Sequence, residues 1–322
     1  MLPFLKSYYL YPLTDDTVKY LKENKVLYSP HILFPKILVS ANFLDPETLI
    51  YKRYSETFKS LLEIKKIKKI QVYHGVIDKN WTFSDRNKFF DLFLISGRYG
   101  YWRLRQLGIP KNKIKIVGYP KLDTYRKNKK IFVEKHQKPT ILYAPTWGAI
   151  GTLPQMIGKI IELNKQYRII VKPHEYMEWY YRGILKDSNI QVSDEADITV
   201  FFSEADLMIS DSSSAMFEFL TTGKPVISLD FNINYTRGPS LNSRLGPEIM
   251  FRNLFYRVKD ISKLDKQIIL ALKNKRITEE QKKIVNSIIK PTLAGQNAAS
   301  EIMKFINHGN DHTHIDKHMN FS

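Results

Sequence analysis

Short apolar runs of four or five residues recur along the chain, each ending at a turn residue and most of them followed by a stretch in which apolar positions return at helical spacing. In the second half the runs are Thr140 to Tyr143, Tyr167 to Val171, Asp206 to Ser210 and Pro225 to Leu229. The first half repeats the style with Lys36 to Ser40, Ile70 to Tyr73, Leu92 to Ser96 and Lys113 to Val117. Runs without apolar/polar alternation suit strands buried on both faces, and helices between them suit parallel pairing, so the pattern predicts two parallel α/β units. Ala215 to Thr222 reads as a helix closed by Gly223 and Pro225, and Glu279 to Phe305 as a C-terminal helix that crosses back.

Between the two sets of runs, Tyr125 to Gln137 is dominated by Arg, Lys and Asn and reads as the linker region. The expected division is therefore residues 1–130 and 131–307, followed by a tail, 308–322, whose four histidines, His308, His312, His314 and His318, lie in a polar, disordered terminus. The length of 322 residues fits two cores of about 150 residues each. The first unit is expected to be abbreviated, without room for the opening strands of a full Rossmann half.

In sheets of this kind ligands bind beyond the carboxyl ends of the strands. After Ser210 come Asp211, Ser212, Ser213 and Ser214, a hydroxyl-rich turn that opens a helix. Helix N-termini offer free N–H groups and a favourable dipole to phosphate, and serines add donors without negative charge. A capping serine explains the same residues, although three in succession exceed what a cap needs. Lys172-Pro173-His174 follows another run and supplies two phosphate-compatible donors, and Thr146 and Trp147 follow a third, with a hydroxyl and an aromatic plane. In the first half His74 stands directly after a strand, with Gly75 permitting close backbone approach. A histidine there suits a general base, because its ordinary pKa of about 6.5 allows proton removal near neutrality; a histidine satisfied by a backbone carbonyl fits the position equally.

Composition narrows the partners. There are no cysteines, so disulfides and thiolate metal sites are excluded, and cytoplasm is the expected compartment. The first 13 residues lack the apolar core of a signal peptide, and no window approaches the roughly 20 apolar residues of a membrane span. A formal net charge of +18 predicts attraction to polyanions: nucleic acid, anionic lipid or a phosphate-rich substrate. No helix-turn-helix, zinc or RNA-binding motif supports nucleic acid. The densest basic run, Lys65 to Lys69, is expected to be a solvated helix end. Gly223-Lys224 closes a helix instead of opening one, which separates it from the phosphate loop of nucleotide hydrolases, and no Gly-x-Gly-x-x-Gly fingerprint is present.

Taken in order, His74-Gly75, Gly118-Tyr119-Pro120-Lys121-Leu122-Asp123, Tyr143 to Trp147, Lys172-Pro173-His174, Ser210 to Ser214 and Gly295 to Ala299 resemble the signatures of the CDP-glycerol glycerophosphotransferase family of teichoic-acid and capsule synthesis. In the second of these the family has Gly-Tyr-Pro-Arg-x-Asp. The resemblance implies a GT-B fold, two Rossmann-like domains facing across a cleft, with the acceptor on the N-terminal side and the nucleotide donor on the C-terminal side. It implies His74 as the base that deprotonates the acceptor hydroxyl, and His174 as a second active-site histidine. Thr146, Lys172, Ser212, Ser213 and Ser214 would hold the donor diphosphate, with Gly75, Trp147, Asp211 and Glu218 as contacts to nucleotide or acceptor. The expected donor is CDP-glycerol or a similar CDP-polyol, releasing CMP. The expected acceptor is a surface polymer or its lipid-linked precursor, at the inner face of an anionic membrane. Nothing in the sequence requires a metal or other cofactor. A nucleotide-sugar transferase or epimerase on the same fold is the alternative.

Overall fold

The structure, a computed structural model, describes residues 37–40, 68–73, 75–76, 82–128, 136–146, 151–174, 179–195, 197–231 and 244–307. Within them lie two parallel sheets. The first has the order β1-β2-β3-β4, from Ile37–Ser40, Lys68–Val72, Leu92–Ile95 and Ile114–Ile116. The second runs β10-β9-β8-β5-β6-β7, from β5 Thr140–Ala144, β6 Arg168–Val171, β7 Gln191–Val192, β8 Leu207–Ser210, β9 Val226–Leu229 and β10 Tyr256–Val258. Counted from its own first strand, the second sheet has the doubly wound order 3-2-1-4-5-6. Such a sheet reverses direction between its first and fourth strands, here β5 and β8, and that crevice is where a ligand is received.

The apolar runs become strands because both faces are covered. Along β5, Ile141 and Tyr143 join a core with Met156, Ile160, Leu185, Leu264 and Ile268, while Leu142 and Ala144 join the opposite core with Met216, Phe217 and Phe219. The helices concerned are α1 Arg98–Gln106, α2 Leu122–Asn128, α3 Leu153–Leu163, α4 Trp179–Asp187, α5 Ser214–Leu220, α6 Pro247–Met250, α7 Leu264–Asn274, α8 Glu279–Ile288 and α9 Ala294–Asn307. Helix α9 lies against the first sheet, where Ala298 and Ile302 pack with Ile70, Val72, Leu92 and Leu94.

Three sequence readings change. The expected single helix from Glu279 to Phe305 is two, α8 and α9, interrupted around Pro291, since proline lacks an N–H and crowds the preceding turn. The expected linker partly dissolves, because Tyr125 is a buried residue of α2. The basic run is no solvated helix end at Lys68 and Lys69, which open β2. Lys68 Nζ donates to the last carbonyls of α9, Phe305 O at 3.1 Å and Ile306 O at 3.0 Å, and Lys69 pairs with Asp91 at 3.5 Å. A cation at a helix C-terminus meets both unbonded carbonyls and the negative end of the dipole. Residues 65–67 and the histidine-containing tail lie outside the described residues.

The segment Gly118 to Asp123 joins the halves. Asp123 accepts the backbone N–H groups of Ala294 at 3.0 Å and Gly295 at 2.7 Å, capping the start of α9. Gly118 has a φ of +94°, and a Cβ there would lie 2.6 Å from Thr292 Cγ2 and 3.2 Å from the Lys290 carbonyl. Both features demand glycine, so Gly118→Ala is expected to destabilise the protein by about 1–3 kcal/mol. The check is a urea titration against wild type.

Candidate functional site

The crevice between β5 and β8 is built around a carboxylate. Asp211, directly after β8 and buried, accepts four hydrogen bonds from neutral donors: Thr146 N at 2.8 Å, Ser212 N at 2.8 Å, Thr152 N at 3.0 Å and Thr152 Oγ1 at 2.9 Å. Burial pushes its carboxyl up, and the four donors pull against that shift. Thr146 follows β5 and Thr152 precedes α3, so one side chain fastens both ends of the β5–α3 loop. Tyr143 Oη lies 2.9 Å from Thr152 Oγ1, and Ser210 Oγ donates to the Ala144 carbonyl at 2.5 Å. Thr152 carries no motif of its own. Its part is visible only once Asp211 is placed beside it.

Ser213 is the N-cap of α5, with extended backbone and a side chain accepting the Ala215 N–H at 3.2 Å. The capping role weighed from the sequence is therefore present. Ser212 is buried beside it, and Ser214 begins the helix. On the far side of β5, Lys172 and His174 follow β6, both half-buried, and Lys172 Nζ donates to the Pro173 carbonyl at 3.0 Å. The carboxyl ends of β8, β5 and β6 are neighbours in the sheet, which sets Ser212 to Ser214, Thr146, Lys172 and His174 along one edge. Trp147 lies outside the described residues. Lys224 belongs to a different feature: its ammonium donates to the carbonyls of Phe202 at 3.0 Å, Ser203 at 2.9 Å and Ala205 at 2.6 Å, and burial pulls it below the usual lysine range.

The first half approaches this edge at two places. The loop after β2 brings the Val76 N–H to Ser214 Oγ at 3.0 Å, and a Cβ on Gly75 would lie 2.6 Å from that same oxygen. His74 precedes them and lies outside the described residues. The loop after β4 brings Tyr119 Oη to Glu218 Oε1 at 3.1 Å and Lys121 Nζ to Glu218 Oε2 at 2.8 Å. Burial first, and then the Glu218 charge, hold the Tyr119 phenol well above its ordinary range, so it is a donor. Glu218, read from the sequence as a contact to nucleotide or acceptor, has its carboxylate turned to these two partners and is buried. Tyr119 and Lys121 were legible as motif residues, but their partner nearly a hundred residues away was not.

A model of the family described as CDP-Glycerol:Poly(glycerophosphate) glycerophosphotransferase matches residues 55–249. Over 141 residues the chain is 30% identical to the teichoic acid glycerol-phosphate primase of Bacillus subtilis (strain 168), a match covering 40% of this chain and 36% of that protein. The chain thus spans little more than a third of that curated relative. Among solved structures, a variant of the wall teichoic acid polymerase TagF soaked with CDPG is similar at a TM-score of 0.52 and 17% identity, over 86% of this chain and 73% of that one. The S. aureus MnaA–UDP structure is similar at a TM-score of 0.54 and 14% identity, over 98% and 84%. At these identities the structures speak for the fold, which is GT-B-like, with two Rossmann-like domains. The family match takes in more than half of the chain and contains His74-Gly75, the Gly118 to Asp123 segment and the carboxyl ends of β5, β6 and β8, and the chain belongs to the CDP-glycerol glycerophosphotransferase family.

Proposed function

We propose that this protein transfers glycerol phosphate, or a closely related polyol phosphate, from a CDP-linked donor to a hydroxyl of a cell-surface polymer or its lipid-linked precursor. The observation that carries the reading is a row of hydroxyl side chains at the switch point of the second sheet with cationic side chains at the end of the neighbouring β6, in a member of this family. Ser212, Ser213, Ser214 and Thr146 would donate to the diphosphate, with Lys172 and His174 adding charge at the end of β6. The acceptor hydroxyl attacks the β-phosphorus as His74 takes its proton, the pyrophosphate bond breaks, and CMP leaves with the electron pair. Donors on both phosphates stabilise charge developing in the transition state. The chain divides functionally near residue 130, with the acceptor side before it and the donor side after it.

The setting we infer is the inner face of a membrane. No helix among the described residues is long and apolar enough to cross one. The charge of +18 favours an anionic surface, and helix α1 turns Arg98, Trp102 and Arg105 outward, a basic and aromatic stripe suited to headgroups.

Incubation with CDP-glycerol, CDP-ribitol and UDP-sugars, with an acceptor polymer, tests the chemistry: CMP release from a CDP-polyol is expected, and release of UDP alone would replace the reading with a nucleotide-sugar reaction. His74→Ala should lower turnover by about 10²–10⁴-fold with donor affinity intact. His174→Ala should weaken donor binding by about 1.5–3 kcal/mol as well as slow the reaction. Vesicle sedimentation should show binding to anionic but not neutral lipid, weakened by salt; equal binding to both would remove the membrane setting.

A further inference from the structure

Helix α5 meets the first half of the chain through two side chains four residues apart, Ser214 and Glu218, and residues at that spacing share one helix face. Ser214 accepts the amide of Val76, two residues beyond His74, and Glu218 accepts from Tyr119 and Lys121. That face is thus tied to the loops after β2 and β4, while the start of the same helix stands at the carboxyl ends of β5 and β8.

We infer that Glu218 is a positioning residue, which together with the Val76–Ser214 bond on the same face of α5 fixes how Gly75 and Val76 approach the carboxyl ends of β5 and β8. This rests on the function proposed above. Glu218 is only 1% exposed and Tyr119 only 3%, so a Glu218 that turned to a ribose would give up its hydrogen bond to a buried phenol. Ser214 sets the closest approach of the β2 loop, since Gly75 leaves no atom between its backbone and that hydroxyl. Two contacts on one rigid face fix an angle as well as a distance. Proton removal and phosphoryl transfer would then occur at a separation decided in part by how α5 packs against the first half, and a displacement of about 1 Å can lower a rate 10²-fold.

The chain has no cysteine, so Lys111→Cys and Lys266→Cys, both exposed and on opposite halves, give clean sites for spin labels in the full chain. Pulsed EPR distances and CDP-glycerol kinetics are then measured with Glu218→Gln, Lys121→Met and Lys121→Arg. Glu218→Gln keeps the shape of the side chain, which guards against a variant that does not fold. The expected result is that Glu218→Gln and Lys121→Met broaden the distance distribution and lower the single-turnover rate at saturating donor by about 10²-fold. Donor Kd should stay within about twofold, and Lys121→Arg should keep both the distance and the rate. An unchanged distance distribution, or a weakened donor Kd with an intact saturated rate, would overturn the inference, the second by making Glu218 a ligand. If the wild-type chain does not turn over CDP-glycerol, the proposed function fails on its own, and the distance distributions still decide whether Glu218 couples the halves.

Discussion

Taking a carboxylate out of water costs several kcal/mol unless other donors replace the solvent. Asp211 meets that demand with two backbone amides from the β5–α3 loop, the amide of Ser212 and the hydroxyl of Thr152. Because the donors come from both ends of one loop and from the next turn, the requirement to satisfy one buried charge also sets the course of the backbone where β5 and β8 part. Thr146 and Ser212 have their places because the acid between them cannot be left bare. Replacing Asp211 would therefore act on the whole edge of the sheet, even though its own oxygens face inward.

A second set of constraints acts between the halves. One core runs from Tyr99, Tyr119, Leu122 and Tyr125 through Met208, Met216 and Phe217 to Val285 and Ile288 without a break at the linker. Domain pairs within a chain commonly shift against each other unless their interface is large and apolar. Here the apolar contact is joined by the Glu218 bonds and by the bend between α8 and α9, where Ser96 Oγ donates to the Ile288 carbonyl at 2.9 Å and the Lys290 N–H donates to Ser96 O at 2.9 Å. Gly97 belongs to the same bend: a Cβ on it would lie 2.4 Å from the Ile288 carbonyl.

The strands that were legible in the sequence are those whose burial on both faces forces a continuous apolar run, such as Leu92–Ile95 and Leu207–Ser210. The two that were missed, Gln191–Val192 and Tyr256–Val258, are sheet edges of two and three residues, where one side needs no covering and polar residues such as Gln191 and Arg257 are tolerated. Lys68 and Lys69 misled for a related reason: a basic run reads as solvated until a helix end and Asp91 are folded against it. At the candidate site, position after a strand is enough to put Ser213, Thr146 and Lys172 at the carboxyl edge of the second sheet. It could not reveal which way Asp211 and Glu218 turn, because their partners are separated from them by long stretches of chain.

Helix α9 also carries a consequence for synthesis. The face of the first sheet formed by Ile70, Val72, Leu92 and Leu94 is covered by Ala298 and Ile302, which follow Leu94 by about 200 residues. At a ribosomal pace of about 5–20 residues per second, that apolar face waits roughly 10–40 s for its cover. Over that interval the second sheet, whose strands and crossover helices are local in sequence, can complete its own core, whereas the contacts that Ala298 and Ile302 make with the first sheet form once α9 has left the ribosome. Nascent chains stalled before residue 294 would therefore be the species that chaperones hold longest.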